Sequence, residues 1–301
     1  MAPPAKSWLG QLPEISDGEF KLLQSLILRE TGIFLGESKK TLLARRLAGR
    51  LRELGLKSFT SYYRRLKGEA GKAERVVLFD RITTGETHFF REPKQFEFLR
   101  ETVVPAWLSA AAERRRGRRV RAWCAACATG EEPFTLAMIL LEALPAIEGW
   151  DVHVLGTDIS TEALATARSA TWPLQRAEEI PPEYRKAFML RGRRSQQGRI
   201  RARRRLRSVV SFKRLNLNDP VYPLPSDYDL ILCRNALIYF EKEAKLRVVK
   251  RLLQHLSSSG YLFVGHAESL TALAAEVRAV VPTVYQKTGV PAAPPPGGSA
   301  I

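Results

Sequence analysis

The chain has 301 residues, 45% of them hydrophobic, and 48 Lys and Arg against 31 Asp and Glu give it a formal charge of +17. That is enough for one large or two modest domains with a real core, and the charge predicts an acidic partner: nucleic acid, an anionic membrane surface or an acidic protein. No apolar run is long enough to span a bilayer, residues 1–6 lack the apolar core of a signal peptide, and three cysteines do not make a disulfide scaffold, so a cytoplasmic protein is expected.

Residues 1–15 read as a flexible N-terminus and 16–80 as a small helical domain. Ser16-Asp17-Gly18-Glu19 is a capping box before Phe20, Leu23 and Ile27, which share a helical face. Ser38 is placed to cap a second helix with the apolar stripe Leu43, Leu47, Leu51 and Leu54. Lys39, Arg46 and Arg50 form a neighbouring stripe, and Arg45 and Arg52 another. A third helix carries Phe59, Tyr62 and Leu66. Residues 81–118 are expected to hold a connector, Arg81 to Glu92, then a helix after Pro93 carrying Phe96, Leu99 and Val103. The basic run Arg114 to Arg119 reads as a solvated loop.

From 119 to 288 strands and helices alternate. The strand candidates are Val120–Ala126, Val152–Ile159, Val209–Leu215, Asp229–Arg234, Tyr261–Gly265 and Thr283–Lys287. Helices are expected at Glu131–Leu144, Thr161–Ser169 and Glu241–Leu256. This order predicts an α/β fold with a doubly wound, Rossmann-like parallel sheet. Residues 188–214 interrupt it: Gly192 and Gly198 bracket a turn whose flanks suit a small antiparallel β excursion. The Pro/Gly/Ser-rich tail, 289–301, is expected to be disordered.

The stretch Ala122 to Phe134 joins a strand to a helix through a tight turn, and the helix N-terminus offers free N–H groups. Gly156-Thr157-Asp158-Ile159-Ser160 and Cys233-Arg234-Asn235-Ala236-Leu237-Ile238-Tyr239-Phe240 follow in order. Together they read as a nucleotide-type cofactor site along the carboxyl edge of the sheet. G-x-G-x-x-G and G-x-x-x-x-G-K-[ST] are both absent. The turn is Ala126-x-Ala128-Thr129-Gly130, without the open glycines that let backbone press on a pyrophosphate. A cofactor with an adenosine-like part and no long phosphate chain is therefore expected, and S-adenosylmethionine fits. Asp158 follows Gly130 by 28 residues, near where an acidic residue holds ribose hydroxyls in such folds, typically about 20 residues on. The competing reading makes Asp158 a cap for the helix from Thr161. Cys124-x-x-Cys127 has no second pair to complete a metal site, so both cysteines read as small apolar residues and no metal is expected.

Five ordered blocks resemble the CheR-type chemotaxis receptor methyltransferases. They are Thr87-His88-Phe89-Phe90-Arg91, Thr129-Gly130-Glu131-Glu132-Pro133, Thr157-Asp158-Ile159-Ser160, Cys233-Arg234-Asn235 with Ile238-Tyr239-Phe240, and Gly260 to Ser269. The resemblance covers residues 16 to 288. It implies transfer of a methyl group from S-adenosylmethionine to glutamate side chains of methyl-accepting chemoreceptors, giving methyl esters and S-adenosylhomocysteine. It further implies that Thr87 and Arg91 reach the cofactor from the connector, Ala126 lines the turn, and Glu132 approaches the methionine part. Asp158 and the backbone at Ile159 would hold the ribose, Asn216 and Leu217 frame the adenine, and Asn235 and Ala236 flank the sulfonium. Arg91 would orient a carboxylate, and Tyr239 would lie near the acceptor. Gly85 stands where relatives often have Asn, and Ala126 where they often have Gly.

The family's receptors present Glu-rich helical bundles, so Lys39, Arg45, Arg46, Arg50 and Arg52 are expected to dock on chemoreceptor cytoplasmic helices. In some relatives the excursion tethers a receptor's C-terminal peptide by strand addition, and its Arg-rich sequence here departs from that pattern. Two alternatives compete. A nucleic-acid methyltransferase would suit the charge. However, the block after the fourth core strand is Cys233-Arg234-Asn235-Ala236, no Pro precedes Cys233, and the arginines of 199–207 have no aromatic residues among them. The other alternative is a non-catalytic S-adenosylmethionine-binding signalling module.

Overall fold

The computed structural model describes residues 14–288, which divide into two compact units between Thr84 and Gly85. The expected flexible N-terminus, apart from Glu14 and Ile15, and the expected disordered tail lie outside the described residues.

In the first unit, α1 (Asp17–Thr31) starts on its capping box. Ser16 Oγ accepts from the Glu19 N–H at 3.2 Å, and the Glu19 carboxylate accepts from the Ser16 N–H at 3.1 Å. The helix stops at Gly32, whose φ of 73° is the left-handed conformation that glycine adopts without strain. Next comes α2 (Lys40–Glu53), entered through a tight 3-10 turn, Glu37–Lys39. The Lys39 and Lys40 N–H groups bond the Gly36 and Glu37 carbonyls, so Ser38 is not the cap expected of it. Leu43, Leu47 and Leu51 are buried, whereas Leu54 falls past the last turn and is half-buried. Ser58 caps α3 (Phe59–Leu66), with Phe59, Tyr62 and Leu66 fully buried. A fourth helix, α4 (Lys72–Ile82), was not separated in the sequence. It takes in Arg81 and Ile82 from the expected connector.

Glu74 of α4 ties this unit together. Arg50 Nε and Nη2 each donate to its carboxylate at 2.8 Å, and the Tyr62 hydroxyl donates at 3.0 Å. The Arg50 guanidinium holds the Glu74 carboxyl below its ordinary range, and burial with the Glu74 charge pushes the Tyr62 hydroxyl up.

The helices of the second unit begin with α5 (Pro93–Phe98), a π-helical turn (Leu99–Val103) and α6 (Val104–Ala112), which run on without a break as one helix with a π-wound middle turn. Arg116 lies over the Trp107 ring at 4.8 Å and pairs with Asp229 at 3.1 Å, so this part of the basic run is packed and not merely solvated. The sheet elements follow: β1 (Arg119–Ala125), α7 (Glu131–Ala143), β2 (Asp151–Asp158), α8 (Thr161–Ser169) and β3 (Thr171–Pro173). After these come α9 (Pro182–Phe188), β4 (Met189–Arg191), β5 (Arg199–Ala202), α10 (Arg204–Arg207) and β6 (Val210–Arg214). The unit closes with β7 (Tyr228–Cys233), α11 (Lys242–His255), β8 (Leu256–Val264), β9 (Val277–Val281) and β10 (Val284–Lys287).

The main sheet has the order β6-β2-β1-β7-β8-β10-β9, parallel except where β10 pairs antiparallel with β8 and β9. Strand β1 shows why it has two layers. Val120, Ala122 and Cys124 pack with α7 on one face, and Trp123 and Ala125 pack with α11 on the other. A strand buried on both faces reads as a continuous apolar run, which is the signal its sequence carries.

The excursion is a separate antiparallel sheet, β3-β5-β4. Its hairpin is the expected one, but residues 210–214 belong to the main sheet and the third strand comes from residues 171–173. Trp172 of β3 is fully buried against Phe89 and Phe134, and at about 1.5–3 kcal/mol for burying a large apolar side chain it anchors this sheet to the main one.

Candidate functional site

The chain leaves β1 for β2 on one side and returns to β7 on the other, so strand order reverses at the carboxyl ends of β1 and β7. Open α/β sheets bind ligands at such a reversal. The turn after β1 has three residues at positive φ: Ala126 at 62°, Ala128 at 47° and Gly130 at 97°. For alanine this costs about 1–2 kcal/mol each, so the surroundings must impose it. They do so through four bonds. Cys127 N–H donates to the Thr157 carbonyl at 2.8 Å and Ala128 N–H to Asp158 Oδ2 at 2.8 Å. Gly130 N–H donates to the Cys127 carbonyl at 3.0 Å, and Trp172 Nε1 to the Thr129 carbonyl at 3.1 Å. A Cβ on Gly130 would sit 2.9 Å from Ala167 Cβ, so glycine is demanded by α8 packing as well as by φ. Helix α7 then opens with no side-chain cap on its first N–H groups.

Asp158 closes β2 beside this turn, and its other oxygen accepts from Ser160 N–H at 2.9 Å. Ser160 is the residue that caps α8, accepting from Ala163 N–H at 3.1 Å. Asp158 stands two residues ahead of this cap and bonds both the β1 turn and the Ser160 N–H.

The loop after β7 is clamped from two sides by residues that the sequence reading did not single out. Glu268, 1% exposed, accepts from the N–H groups of Gly265 at 2.7 Å, Asn235 at 2.9 Å and Ile238 at 3.1 Å. This holds Asn235 at φ 58° and brings the β7 and β8 loops so close that a Cβ on Gly265 would meet Asn235 N at 2.8 Å. Arg234, its side chain 1% exposed, donates to Glu132 at 2.9 Å and to the Arg91 carbonyl, pairs with Glu92 at 3.3 Å, and stacks over Phe96. Burial pushes the Glu132 carboxyl up against the pull of Arg234. Burial also opposes ionisation of Glu92, but Arg234, His266 and Asn235 together hold it below its ordinary value. Arg234 and Glu268 lie inside two of the family-like blocks and Glu92 just after another, but a charged residue beside an apolar strand end or aromatic run does not by itself distinguish a buried clamp from a solvated rim.

Ala126, Glu132, Asp158, Ile159, Asn216, Leu217, Asn235 and Ala236 come together at the carboxyl edge of β1, β2, β6 and β7. Glu132 turns toward Arg234, the Ile159 carbonyl accepts from Arg214 Nε at 3.1 Å, and the Leu217 carbonyl from the Tyr222 hydroxyl at 2.6 Å. Thr87 is buried in the connector, which is pinned where Phe89 N–H meets Glu179 at 2.9 Å and Phe90 N–H meets Thr135 at 3.1 Å. Arg91 is half-buried, donating to the Glu86 carbonyl at 3.2 Å. Tyr239 is 42% exposed beside Ile238 at 49%, so it does not pack in the core.

The basic residues expected to dock a partner lie in the first unit and divide. Lys39, Arg45 and Arg52 are exposed. Arg46 bonds the Ile82 carbonyl and Thr84 Oγ1, and Arg50 is the internal strut on Glu74. Cys124, Cys127 and Cys233 are buried free thiols whose ionisation burial suppresses. Among the described residues no cluster of His, Cys, Asp and Glu could hold a metal, and no helix is long and apolar enough to cross a membrane.

An adenosine-type cofactor fits this donor set: a carboxylate at the end of β2, small residues in the turn after β1, amide side chains after β6 and β7, and an uncapped helix start. Comparison with known proteins adds to the geometry. Residues 85–285 match the family model described as CheR methyltransferase, SAM binding domain, and residues 18–83 the CheR methyltransferase, all-alpha domain. The chain is 37% identical to chemotaxis protein methyltransferase 2 of Pseudomonas aeruginosa over 89% of this chain and 92% of that one. It is 35% identical to the chemotaxis protein methyltransferase of Salmonella typhimurium over 90% of each chain. The chemotaxis protein methyltransferase of Escherichia coli is 34% identical over 90% of this chain and 91% of its own.

Proposed function

The chain belongs to the CheR methyltransferase family and is a methyltransferase dependent on S-adenosylmethionine, and on that premise we propose that it esterifies glutamate side chains of chemoreceptor cytoplasmic helices in the cytoplasm. The observation that carries the site is the positive-φ turn after β1 closed by Asp158 at the point where strand order reverses.

When bound, S-adenosylmethionine supplies a methyl group already activated on a sulfonium. An acceptor glutamate is ionised at neutral pH, so the residues have to align and desolvate and need no general base. Asp158 and the backbone at Ile159 take the ribose hydroxyls. Ala126 keeps the turn slim, and Asn216 and Leu217 border the adenine. Thr87, Glu132, Asn235 and Ala236 line the methionine end. Arg91 offers a planar fork to a carboxylate, and exposed Tyr239 offers its hydroxyl on the acceptor side. Paired with Arg234 and 13% exposed at its side chain, Glu132 also fixes the start of α7 against the β7 loop. Docking on an acidic receptor helix falls to Lys39, Arg45 and Arg52, with Arg46 and Arg50 turned inward. The three free cysteines agree with a reducing compartment.

The test supplies methyl-labelled S-adenosylmethionine with receptor-bearing membranes and then applies mild base. Methyl esters release volatile methanol. Base-stable label on the receptor, or preferential labelling of nucleic acid, overturns the reading.

A further inference from the structure

Residues 185–214 hold thirteen Lys and Arg and not one Asp or Glu, so this tenth of the chain carries most of its formal charge of +17. The excess is displayed on the excursion. Along β5, Ile200 and Ala202 are buried while Arg199 and Arg201 point outward. Register places Leu190 of β4 and Thr171 of β3 opposite Arg201, and Pro173 opposite Arg199, on the same outer face. Arg193 and Arg194 lie in the turn before β5 and Arg204 just beyond it. Arg191, Arg193, Arg194, Arg199, Arg201 and Arg204 are exposed, and none has an ion pair or side-chain hydrogen bond among the described residues. Every acidic side chain that could neutralise them is elsewhere. Six unpaired arginines on this small sheet and its flanking turns repel one another, a cost that an anionic partner removes.

We propose that this outer face docks on an anionic phospholipid surface. Three features favour lipid. Arg199 and Arg201 stand about 6.6 Å apart along an extended strand, two residues at about 3.3 Å each, an open array suited to several headgroups and not a cradle for one phosphate. Leu190, 45% exposed, lies among the arginines as an aliphatic contact for the acyl boundary. No aromatic side chain is exposed in 185–207 to stack on a base, since Phe188 is buried. Membrane binding of this kind confines the enzyme to a plane and shortens its search for any membrane-borne acceptor.

The experiment is co-sedimentation of the full chain with phosphatidylcholine vesicles made with and without phosphatidylglycerol, at low and high salt. The vesicles carry no receptor, so the result stands apart from the methyl-acceptor reading. Binding only to the phosphatidylglycerol vesicles, weakened by salt, is expected. Each basic residue near an anionic surface contributes about fivefold, so R199S/R201S/R204S lowers partitioning by roughly a hundredfold. Its S-adenosylhomocysteine affinity and far-UV circular dichroism stay those of the unsubstituted protein, because these side chains are exposed and make no ion pair or side-chain hydrogen bond among the described residues. The proposal is overturned by equal binding to neutral vesicles, by no binding, or by a triple variant that binds as well as the parent. Tighter capture of a single-stranded oligonucleotide or of a polyglutamate peptide than of the vesicles overturns it equally, and assigns the face to that partner.

Discussion

Replacing Glu268 by Gln changes one heavy atom and tests whether the β7 loop is held by that carboxylate. Oε2 accepts from Asn235 and Gly265 N–H at 2.9 and 2.7 Å, and Oε1 from Ile238 N–H at 3.1 Å. Glutamine has one acceptor oxygen. Its best placement keeps the shorter pair as neutral bonds and turns an NH2 toward the Ile238 N–H. One bond to a charged acceptor, worth about 1.5–3 kcal/mol, is lost, and two fall toward the ordinary value of about 1 kcal/mol. Relief from burying a charge returns part of this, leaving about 3 kcal/mol. For a unit of this size that lowers Tm by roughly 6–12 °C. Asn235 is freed from φ 58°, so S-adenosylhomocysteine binding is expected to weaken by about tenfold or more, a change of about 1.4 kcal/mol. Differential scanning calorimetry and isothermal titration give the two readings. A glutamine variant with an unchanged Tm and unchanged affinity would show that the loop holds its conformation without Glu268.

Gly130→Val is expected to destabilise by about 3 kcal/mol or more, through positive φ and collision with Ala167. An unchanged denaturant midpoint would remove that contact, and the collision is with α8, independent of any cofactor. Asp158→Ala should cost affinity for S-adenosylhomocysteine and also about 2 kcal/mol of stability, because the Ala128 and Ser160 N–H groups lose their acceptor; a variant with weakened binding and parental stability contradicts the second half. Arg45→Glu with Arg52→Glu should slow receptor methylation and spare S-adenosylhomocysteine binding, whereas Arg50→Glu should unfold the helical unit by setting a carboxylate against Glu74. Parental receptor methylation by the first pair would exclude that docking surface. The Glu74 carboxyl is lowered in the fold, chiefly by Arg50, so its contribution is full above the ordinary Glu value and is lost as pH falls through that value to the lower folded one. Acid titration of the unfolding midpoint should show Glu74→Gln weaker by about 2 kcal/mol at neutral pH, a figure discounted for the partly exposed Arg50, and converging with the parent in acid. A constant gap would refute the linkage.

The fold and cofactor were legible because both depend on local pattern. Apolar runs closed by small residues announced β1 and β2, and Ser16 with Glu19 announced α1. What escaped depended on partners distant in sequence. α4 was missed because Glu74 and Arg81 interrupt its apolar face, and Glu74 is buried only because Arg50 and Tyr62 reach it. β3 has three residues and pairs with β5 across 25 intervening residues. Arg50 counted as a surface cation because its helical stripe is basic, yet a helix wheel cannot show a carboxylate on another helix. Ser38 had the right side chain, but the tight turn ahead of α2 had already supplied the backbone acceptors.

Arg234 reaches the connector at Arg91 and Glu92 and the start of α7 at Glu132, from the end of β7. With Glu132 removed, its buried charge would lose a principal partner; if the β7 loop swung out, both glutamates would lose theirs. No one of these three segments can open cheaply by itself. The region should therefore behave as one cooperative opening unit, and native-state hydrogen exchange should find the amides of Arg91, Glu132 and Asn235 converging on a common opening free energy, below that of the central strands and above that of the connecting loops elsewhere. A cofactor reaching such an edge meets a surface assembled beforehand, in which no single segment acts as an independent flap.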